Sequence, residues 1–308
     1  MATVKDSIPH IVRTAEDPRQ KGVWSARLSR IDQVNSKIRL LRLSLPRDGP
    51  PLRHLPGQYI DLYIPDVDVV GGFTITSPPQ AASAQRQSQD EDPHIELAIQ
   101  ASPSNPPAAY LWRPISEILD STVTFRVGGN FAFPPLSLNR EECANIDRAV
   151  FIAGGVGINP IMSMISAMDE VGTTNKLGGM AKTVRVLYTA RRESPKEAIL
   201  FEKRLDDIAE KWKGNEQVDY KYTFFETSGK GKSAGGQEEG RRTTTGNSTT
   251  RFRRIKHDDL FEALGPEESR SNTVVYVCGL PAMTDEFVEL LKRAPGMDEK
   301  RVLCEKWW

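Results

Sequence analysis

The fold of the second half of the chain is decided by one stretch, AVFIAGGVGINPIM at residues 149–162. Its first five residues form an unbroken apolar run, which predicts a strand buried on both faces of a parallel sheet. Three glycines follow within four positions, and Ile161, Met164, Ile165 and Met168 then recur at helical spacing. Strand, glycine turn and helix in this order form the layout of a nucleotide-binding crossover.

The glycine turn suits a pyrophosphate for two physical reasons. Glycine adopts backbone angles closed to other residues, and it removes side chains where a ligand must approach. The helix start offers free N–H groups and the positive end of its dipole, and Pro160 loses little in a first helical turn. A tight connection without a ligand is an equally good interpretation of the turn alone. The residues predicted to contact a dinucleotide are Gly154, Gly155, Val156, Gly157, Ile158, Asn159 and Pro160.

The next predicted strand, residues 183–188, leads to Thr189-Ala190-Arg191-Arg192. An ordinary Rossmann domain has an acidic residue near this point, which binds a ribose hydroxyl. Two arginines stand there instead, so the chain is not of the common dehydrogenase type. Arg191 and Arg192 could hold an adenosine 2′-phosphate, or they could form a solvated pair.

Composition limits the class of protein. The chain has 308 residues, 41 basic and 41 acidic, which suits two domains and argues against nucleic acid as the main partner. No apolar run approaches the roughly 20 residues of a membrane-spanning helix. The first 20 residues lack the apolar core of a secretory signal, and Asp6, Glu16 and Asp17 do not suit a mitochondrial presequence. We therefore expect a cytoplasmic or mitochondrial-matrix protein.

Cysteine and histidine give no sign of a metal site. The three cysteines, Cys143, Cys278 and Cys304, are far apart, so they suggest no disulfide framework and cannot form a four-cysteine iron–sulfur site. The four histidines are scattered, and none has the spacing of a helical zinc site. Redox chemistry in this chain would therefore depend on an organic cofactor.

The first half of the chain reads as β structure after a flexible tail at residues 1–21. Short alternating or apolar runs separated by proline and glycine, with one short helix at 108–119, predict a small antiparallel barrel over residues 22–140. The predicted strands are residues 23–28, 37–43, 58–64, 72–77, 94–100 and 123–127.

The second half, residues 141–308, alternates strands with helices, which predicts a parallel sheet with helices on both faces. Residues 227–250 are nearly free of apolar side chains, so we predict a disordered insertion there. The predicted strands are residues 149–153, 183–188, 218–225, 273–278 and 301–303, and the predicted helices are 158–170, 197–211, 257–264 and 282–293.

A barrel followed by a parallel α/β domain resembles the ferredoxin–NADP reductase superfamily, which joins a flavin-binding barrel to a nicotinamide-binding domain. The resemblance covers residues 22–308 and rests on four motifs in the right order. They are PGQY at 56–59, GGVGINP at 154–160, VYVCGLPAM at 275–283 with Leu280 in place of a proline, and the aromatic end EKWW at 305–308.

The flavin signature departs from the family pattern. The family has R-x-Y-(S/T) where this chain has GGFTITSP at residues 71–78, and its G-x-x-S motif is here NPPA at 105–108. The resemblance implies that Phe73 packs on an isoalloxazine ring, that Thr74 hydrogen-bonds it, and that Ile75 and Thr76 adjoin it. The lost arginine implies weakly held FAD. Phe73 could instead be an ordinary aromatic residue of the barrel core.

The phrase GGF(S/T) together with a terminal EKWW is most similar to the oxidoreductase NAD-binding domain-containing protein group. The resemblance implies that Cys278 and the adjacent Gly279 lie beside the nicotinamide and that Trp308 shields the flavin. Cys278 could also be a small buried residue, and Trp307 and Trp308 could be aromatic residues packed on the barrel.

The leading hypothesis is an NAD(P)H-dependent flavin oxidoreductase that passes hydride from nicotinamide to flavin across the domain cleft. Its predicted catalytic residues are Cys278, Trp308 and Thr74, its cofactors are NAD(P)H and FAD, and its electron acceptor is unknown. The alternative is a catalytically weak nucleotide-binding or interaction protein that kept the reductase fold. The lost arginine and the lost G-x-x-S motif favour the alternative, whereas the glycine turn, Cys278 and the terminal tryptophans oppose it.

Overall fold

The computed structural model describes residues 8–83, 92–171, 181–227 and 242–307. It confirms the predicted fold class. A six-stranded antiparallel sheet is followed by a seven-stranded, mostly parallel sheet with helices on both faces.

The first sheet closes into a barrel. Its strands are β1 (Trp24–Asn35), β2 (Ile38–Ser44), β3 (Tyr59–Tyr63), β4 (Gly71–Thr74), β5 (His94–Gln100) and β6 (Thr122–Gly128). They lie in the order β4-β3-β6-β1-β2-β5, and a bridge between Ile75 and Leu97 joins the two outer strands. Alternate side chains fill the interior because successive residues of a strand point to opposite faces.

Two short helices pack on the barrel core where the sequence predicts one. They are α2 (Pro106–Leu111) and α3 (Ile115–Ile118). Pro114 lies between them and cannot continue a helix, which explains the division. Leu111 and Ile118 are buried in the barrel core.

The second sheet has the order β10-β11-β9-β8-β7-β12-β13, and every described neighbouring pair except β10 and β11 is parallel. Its strands are β7 (Arg148–Gly154), β8 (Thr183–Arg191), β9 (Asp219–Thr227), β10 (Arg242–Thr245), β11 (Ser248–Arg251), β12 (Thr273–Cys278) and β13 (Val302–Glu305). The helices of this half are α4 (Arg140–Ala144), α5 (Ile158–Val171), α6 (Glu202–Lys211), α7 (His257–Leu264) and α8 (Pro281–Lys292).

Strand β7 is buried on both faces, as its unbroken apolar run predicts. Phe151 lies in the same core as side chains of α5 and α6. Ile152 lies in the core that α7 and α8 cover on the other face. None of the helices in the described ranges is both long and apolar enough to cross a membrane.

The barrel has a core of its own, and α5 is joined to the barrel by two buried hydrogen bonds. Asn159 Nδ2 donates to the Ala98 carbonyl at 3.0 Å, and Ser163 Oγ donates to the Ser77 carbonyl at 2.8 Å. The core between the sheets includes Phe131, Phe133, Phe151 and Tyr276. The barrel and the helix after the glycine turn are therefore fixed to each other.

Two segments differ from the sequence predictions. The sequence predicts a flexible tail at residues 1–21, but the chain forms α1 (His10–Arg13) and packs against the barrel through residue 20. Residues 1–7 lie outside the described part. A disordered insertion is predicted at 227–250, but Ser248–Arg251 pairs with β9. Threonine-rich segments suit a half-exposed edge strand without a core, so low apolar content conceals this hairpin. Residues 228–241 lie outside the described part.

Candidate nucleotide-binding site

The glycine turn lies against the end of β12. Residues Gly155–Gly157 form one 3₁₀ turn that leads into α5. A Cβ on Gly157 would overlap the Cys278 carbonyl oxygen and would lie 2.5 Å from the Cys278 carbonyl carbon. A Cβ on Gly154 would lie 2.9 Å from Met283 Cε. The turn and the strand end therefore pack backbone against backbone, which only glycine permits.

Gly155 has a different environment from its neighbours. Its φ is +56°, and a Cβ there would meet nothing within 4 Å. This is the open side of the turn, where a ligand could approach the backbone. The side chains of Ile158 and Asn159 and the ring of Pro160 are buried; Asn159 Nδ2 donates to Ala98, and Asn159 Oδ1 is buried without a partner. What these residues can offer a ligand is therefore their backbone.

The end of β12 places Cys278 under the turn. Cys278 is only 1% exposed, and it pairs with Ala153 on one side and Glu305 on the other. Burial raises the pKa of the Cys278 thiol well above its ordinary value. The thiol is thus a small neutral group rather than a nucleophile. Gly279 follows at the same edge, and Leu280 is 70% exposed there.

The carboxyl-terminal segment brings an acid and an aromatic residue to the same edge. Trp307 Nε1 donates to Glu305 Oε2 at 2.7 Å. Burial raises the pKa of the Glu305 carboxyl to about 8, although this hydrogen bond acts in the opposite direction. The Trp307 ring packs against the core that contains Phe131 and Tyr276, and against the His10 ring near the amino terminus. Trp308 lies outside the described residues.

Phe73 is partly buried on the barrel. It pairs with Ile60 and packs against the barrel core. A Cβ on Gly71 would lie 2.5 Å from Phe73 Cε2 and 2.8 Å from Pro107 Cβ. Thus the phenyl ring covers the position where the family has an arginine side chain. This arrangement favours the interpretation of Phe73 as a barrel aromatic.

The residues that follow Phe73 are buried and take part in the barrel structure. Thr74 and Ile75 are buried, and Ile75 forms the bridge that closes the barrel. Thr76 N donates to the Glu96 carbonyl at 2.8 Å, while the buried Thr76 hydroxyl has no partner. At the helix mouth, Ala108 N donates to Asn105 Oδ1 at 3.4 Å.

The outward face of β4 is covered by α1. A Cβ on Gly72 would overlap the imidazole of His10, whose ring also stacks on Trp307 at 5.9 Å between centroids. Neither Gly71 nor Gly72 has a positive φ, so close approach is the reason for both glycines. Protein atoms therefore lie between β4 and the terminal aromatic residue. With His10 in this position there is no space for a flavin ring between β4 and Trp307.

The two arginines after β8 have different partners. Arg192 lies 2.6 Å from Glu202 and 2.9 Å from Glu226, so it is part of a structural ion network. Arg191 has a side chain that is 57% exposed and lies 3.2 Å from Glu193. Of the pair, Arg191 is therefore the one that a ligand at the carboxyl edge could reach.

Comparison with known proteins identifies the family. Residues 151–289 match the model of the oxidoreductase NAD-binding domain. The chain is 31% identical over 300 residues to oxidoreductase NAD-binding domain-containing protein 1 of Danio rerio, with 97% of each protein covered. The chain belongs to this family. Its Homo sapiens member is 29% identical over 307 residues, which cover 99% of this chain and 86% of the human protein.

Solved structures share the family's fold at low identity. The CS-b5R domains of human Ncb5or in the NAD+ form superpose with a TM-score of 0.63 at 17% identity, covering 92% of this chain and 70% of the other. A ferredoxin NADP+ reductase from Neisseria gonorrhoeae with bound FAD and NADP gives 0.57 at 13% identity, covering 93% and 99%. These likenesses show a reductase-type barrel joined to a Rossmann-like domain.

A cavity of about 400 Å³ lies between the barrel and helices α5 and α6, and Ser77, Glu96 and Arg204 are among the residues that line it. Its charges are paired: Arg204 lies 3.1 Å from Glu96, and Lys211 lies 2.7 Å from Asp169. In the described ranges no group of three or more His, Cys, Asp or Glu could hold a metal ion. The cavity therefore adds no charged site to the one built on the glycine turn.

Sequence reasoning missed three residues of this region: His10, Asp61 and Glu305. Asp61 could have been noticed, because it is a carboxylate inside the otherwise apolar strand YIDLY. A buried carboxylate needs partners, which would have directed attention to the basic residues of the presumed tail. Glu305 gives no such signal, since its burial depends on residues distant in sequence.

Proposed function

We propose that this protein is an NAD(P)H-dependent oxidoreductase whose nicotinamide dinucleotide binds across the glycine turn. The observation that carries the proposal is Gly155, which has a positive φ and open space above it at the end of a buried parallel strand. Open α/β sheets bind ligands outside the carboxyl ends of their strands. Membership of a family with an NAD-binding domain supports the same position.

Each part of the site would have a distinct role. Backbone N–H groups of the turn and of the start of α5 would bind the pyrophosphate. Cys278 and Gly279 would adjoin the nicotinamide, where Cys278 offers a small neutral surface. Arg191, as an exposed cation, would suit a 2′-phosphate on the adenosine ribose. The dinucleotide, when bound, supplies the hydride, and these residues supply position and electrostatics.

The proposal assigns no hydride acceptor to this protein, and whether flavin accepts the hydride is decided by experiment. Phe73 covers the position of the family arginine, and His10 lies between β4 and Trp307. The hydride-transfer roles predicted for Thr74 and Trp308 depend on a bound flavin, so they stay predictions.

A catalytically weak nucleotide-binding or interaction protein is the second candidate. The observation that favours it is the same packing of His10 on Gly72, because it leaves no place for the flavin ring predicted as hydride acceptor. The two candidates share the dinucleotide site and differ in turnover.

Calorimetric titration of NADH and NADPH tests the site with a matched pair of variants. Gly155→Ala should weaken binding at least tenfold, which corresponds to about 1.4 kcal/mol. Gly214→Ala should leave affinity unchanged. Gly214 has a φ of +75° and open surroundings like Gly155, but it lies in the loop between α6 and β9. Absence of binding to wild type, or equal effects of the two variants, would refute the proposed site.

Turnover then separates the two candidates. NADH or NADPH oxidation is followed by absorbance with ferricyanide and, separately, with added FAD as acceptor. Oxidation that is lost in Gly155→Ala supports the oxidoreductase. Tight dinucleotide binding without oxidation by either acceptor supports the second candidate.

A further inference from the structure

The N-terminal segment, residues 9–20, is anchored to a buried carboxylate. Asp61 is completely buried on the outward face of β3 and lies 2.9 Å from His10 Nε2. Arg19 Nε and Arg126 Nη2 each donate to it at 2.8 Å. Burial alone would raise the pKa of Asp61, but these hydrogen bonds hold it far below its ordinary value. The ionised carboxylate can only accept, so His10 donates through Nε2.

Backbone pairing holds the far end of the N-terminal segment. Gln20 N donates to the Val127 carbonyl at 2.9 Å, and Gly129 N donates to the Pro18 carbonyl at 3.0 Å. These bonds continue the sheet at the end of β6. The residues from 17 to 20 are therefore a fixed attachment.

The near end is held by side chains rather than by backbone pairing: the His10 hydrogen bond to Asp61 is joined by contacts between rings. The His10 ring lies parallel to Trp307, with 13° between the planes, and meets the edge of Tyr59 at 5.0 Å. The Arg13 guanidinium lies 5.5 Å from the Trp307 ring centre. His10 Nδ1 and Arg13 Nε are buried without hydrogen-bond partners, and such groups typically cost about 1–3 kcal/mol each.

This contrast gives the N-terminal segment a fixed end and a releasable end. When the near end leaves, His10 loses its bond to Asp61, but Arg19 and Arg126 still satisfy that carboxylate. The unpartnered His10 Nδ1 and Arg13 Nε then gain water, whereas release of residues 17–20 would break backbone hydrogen bonds. Thr14 belongs to the fixed end, because its carbonyl and hydroxyl oxygens both accept hydrogen bonds from the Arg19 guanidinium. The segment can therefore open near Trp307 while it stays attached to β6.

We propose that the N-terminal segment is an autoinhibitory element that competes with an isoalloxazine ring for the space between β4 and Trp307. His10 is itself a planar ring, held between Gly72 on one side and the parallel Trp307 ring on the other. An isoalloxazine needs the same kind of planar space, so both cannot occupy it. Flavin binds there only when the near end of the segment has left.

The residues of the groove fit this assignment. Gly72 is required by the imidazole packed on it, and Gly71 is required by Phe73 and Pro107. A flavin held permanently in the family manner would need an arginine at position 71, where even a Cβ is too close to its neighbours. The proposal concerns the barrel side of the protein, so it goes beyond the dinucleotide site and does not depend on it.

Flavin titration of full-length variants tests the proposal. Binding of FAD and of FMN is measured by quenching of flavin fluorescence in wild type, His10→Ala, His10→Ala/Arg13→Ala and the control Val12→Ala. Val12 lies in the same helix but is 63% exposed. Wild type and Val12→Ala should bind weakly, and His10→Ala and the double variant should bind at least tenfold more tightly. A melting curve for each variant shows that it is folded.

Two results would overturn the proposal. One is wild-type protein that purifies with a full complement of flavin. The other is a folded double variant with the flavin affinity of wild type. NADH affinity is measured on the same samples and should be equal in all of them, so a failure of the dinucleotide site is recognised separately.

Discussion

Gly157→Ala should destabilise the protein strongly, although it adds only one methyl group. The new Cβ would overlap the Cys278 carbonyl oxygen and lie 2.8 Å from Gly279 N, below the 3.0 Å that real Cβ atoms respect. Both neighbours are backbone atoms at the end of β12, which is paired on both sides by β7 and β13. Overpacking costs about 1–3 kcal/mol where side chains can adjust. Here they cannot, so we expect about 3 kcal/mol.

Thermal unfolding followed by calorimetry measures this effect. At about 2–4 °C per kcal/mol for a chain of this size class, Gly157→Ala should lower Tm by about 6–12 °C. Gly214→Ala is the control, because its φ of +75° costs only the left-handed backbone penalty of about 1–2 kcal/mol in open space. A Gly157→Ala protein that melts no lower than Gly214→Ala would show that the turn does not lie on β12.

Three further predictions concern pH and the insertion. Because the raised pKa of Glu305 makes the folded protein bind a proton that the unfolded chain has released, stability should fall between about pH 5 and 8, and Glu305→Gln should flatten that slope in melts across the range. The depressed pKa of Asp61 contributes stability that is lost as pH falls below about 4. Asp61→Asn should therefore lower the free energy of unfolding at pH 7 by about 3 kcal/mol and weaken its acid dependence, and an unchanged acid transition would contradict this. Deletion of residues 227–250 removes the pairing of β11 with β9 and should lower Tm, whereas replacement of 229–240 by a short Gly-Ser link should not.

The strands and helices could be predicted because their apolar residues form local patterns in the sequence. The strand predicted at residues 273–278 and the helix at 257–264 have the observed bounds, since a continuous buried run and a repeat of 3.6 residues are local properties of the sequence. The helix predicted from residue 197 begins instead at Glu202, after Phe201 adopts a φ of 60°. Side-chain spacing does not encode such a backbone conformation, so helix starts are less predictable than helix faces.

The sequence does not show why glycine is needed at a given position, because the reason depends on which atoms a Cβ at that position would meet. The sequence treats Gly155 and Gly157 as equivalent parts of a ligand turn. The structure separates them, since Gly157 faces β12 and Gly155 faces open space. The N-terminal segment was equally hidden: His10 and Arg19 meet Asp61 across 51 and 42 residues of chain, and no local pattern records such a contact.

One of the two predicted ligand positions is open and the other is occupied by the protein's own residues. The family resemblance alone therefore does not define the activity. At the carboxyl edge of the parallel sheet, Gly155 leaves the backbone open to a dinucleotide. At the barrel, His10 fills the planar space beside Gly72. The Asp61 network that holds the N-terminal segment shares no residue with the glycine turn, so dinucleotide binding alone does not release the segment through a direct contact. In the proposed arrangement, the near end is released by spontaneous opening, by competition from the planar ligand or by a change at the anchor. The rate at which flavin binds should thus saturate at the opening rate of the segment if opening precedes binding.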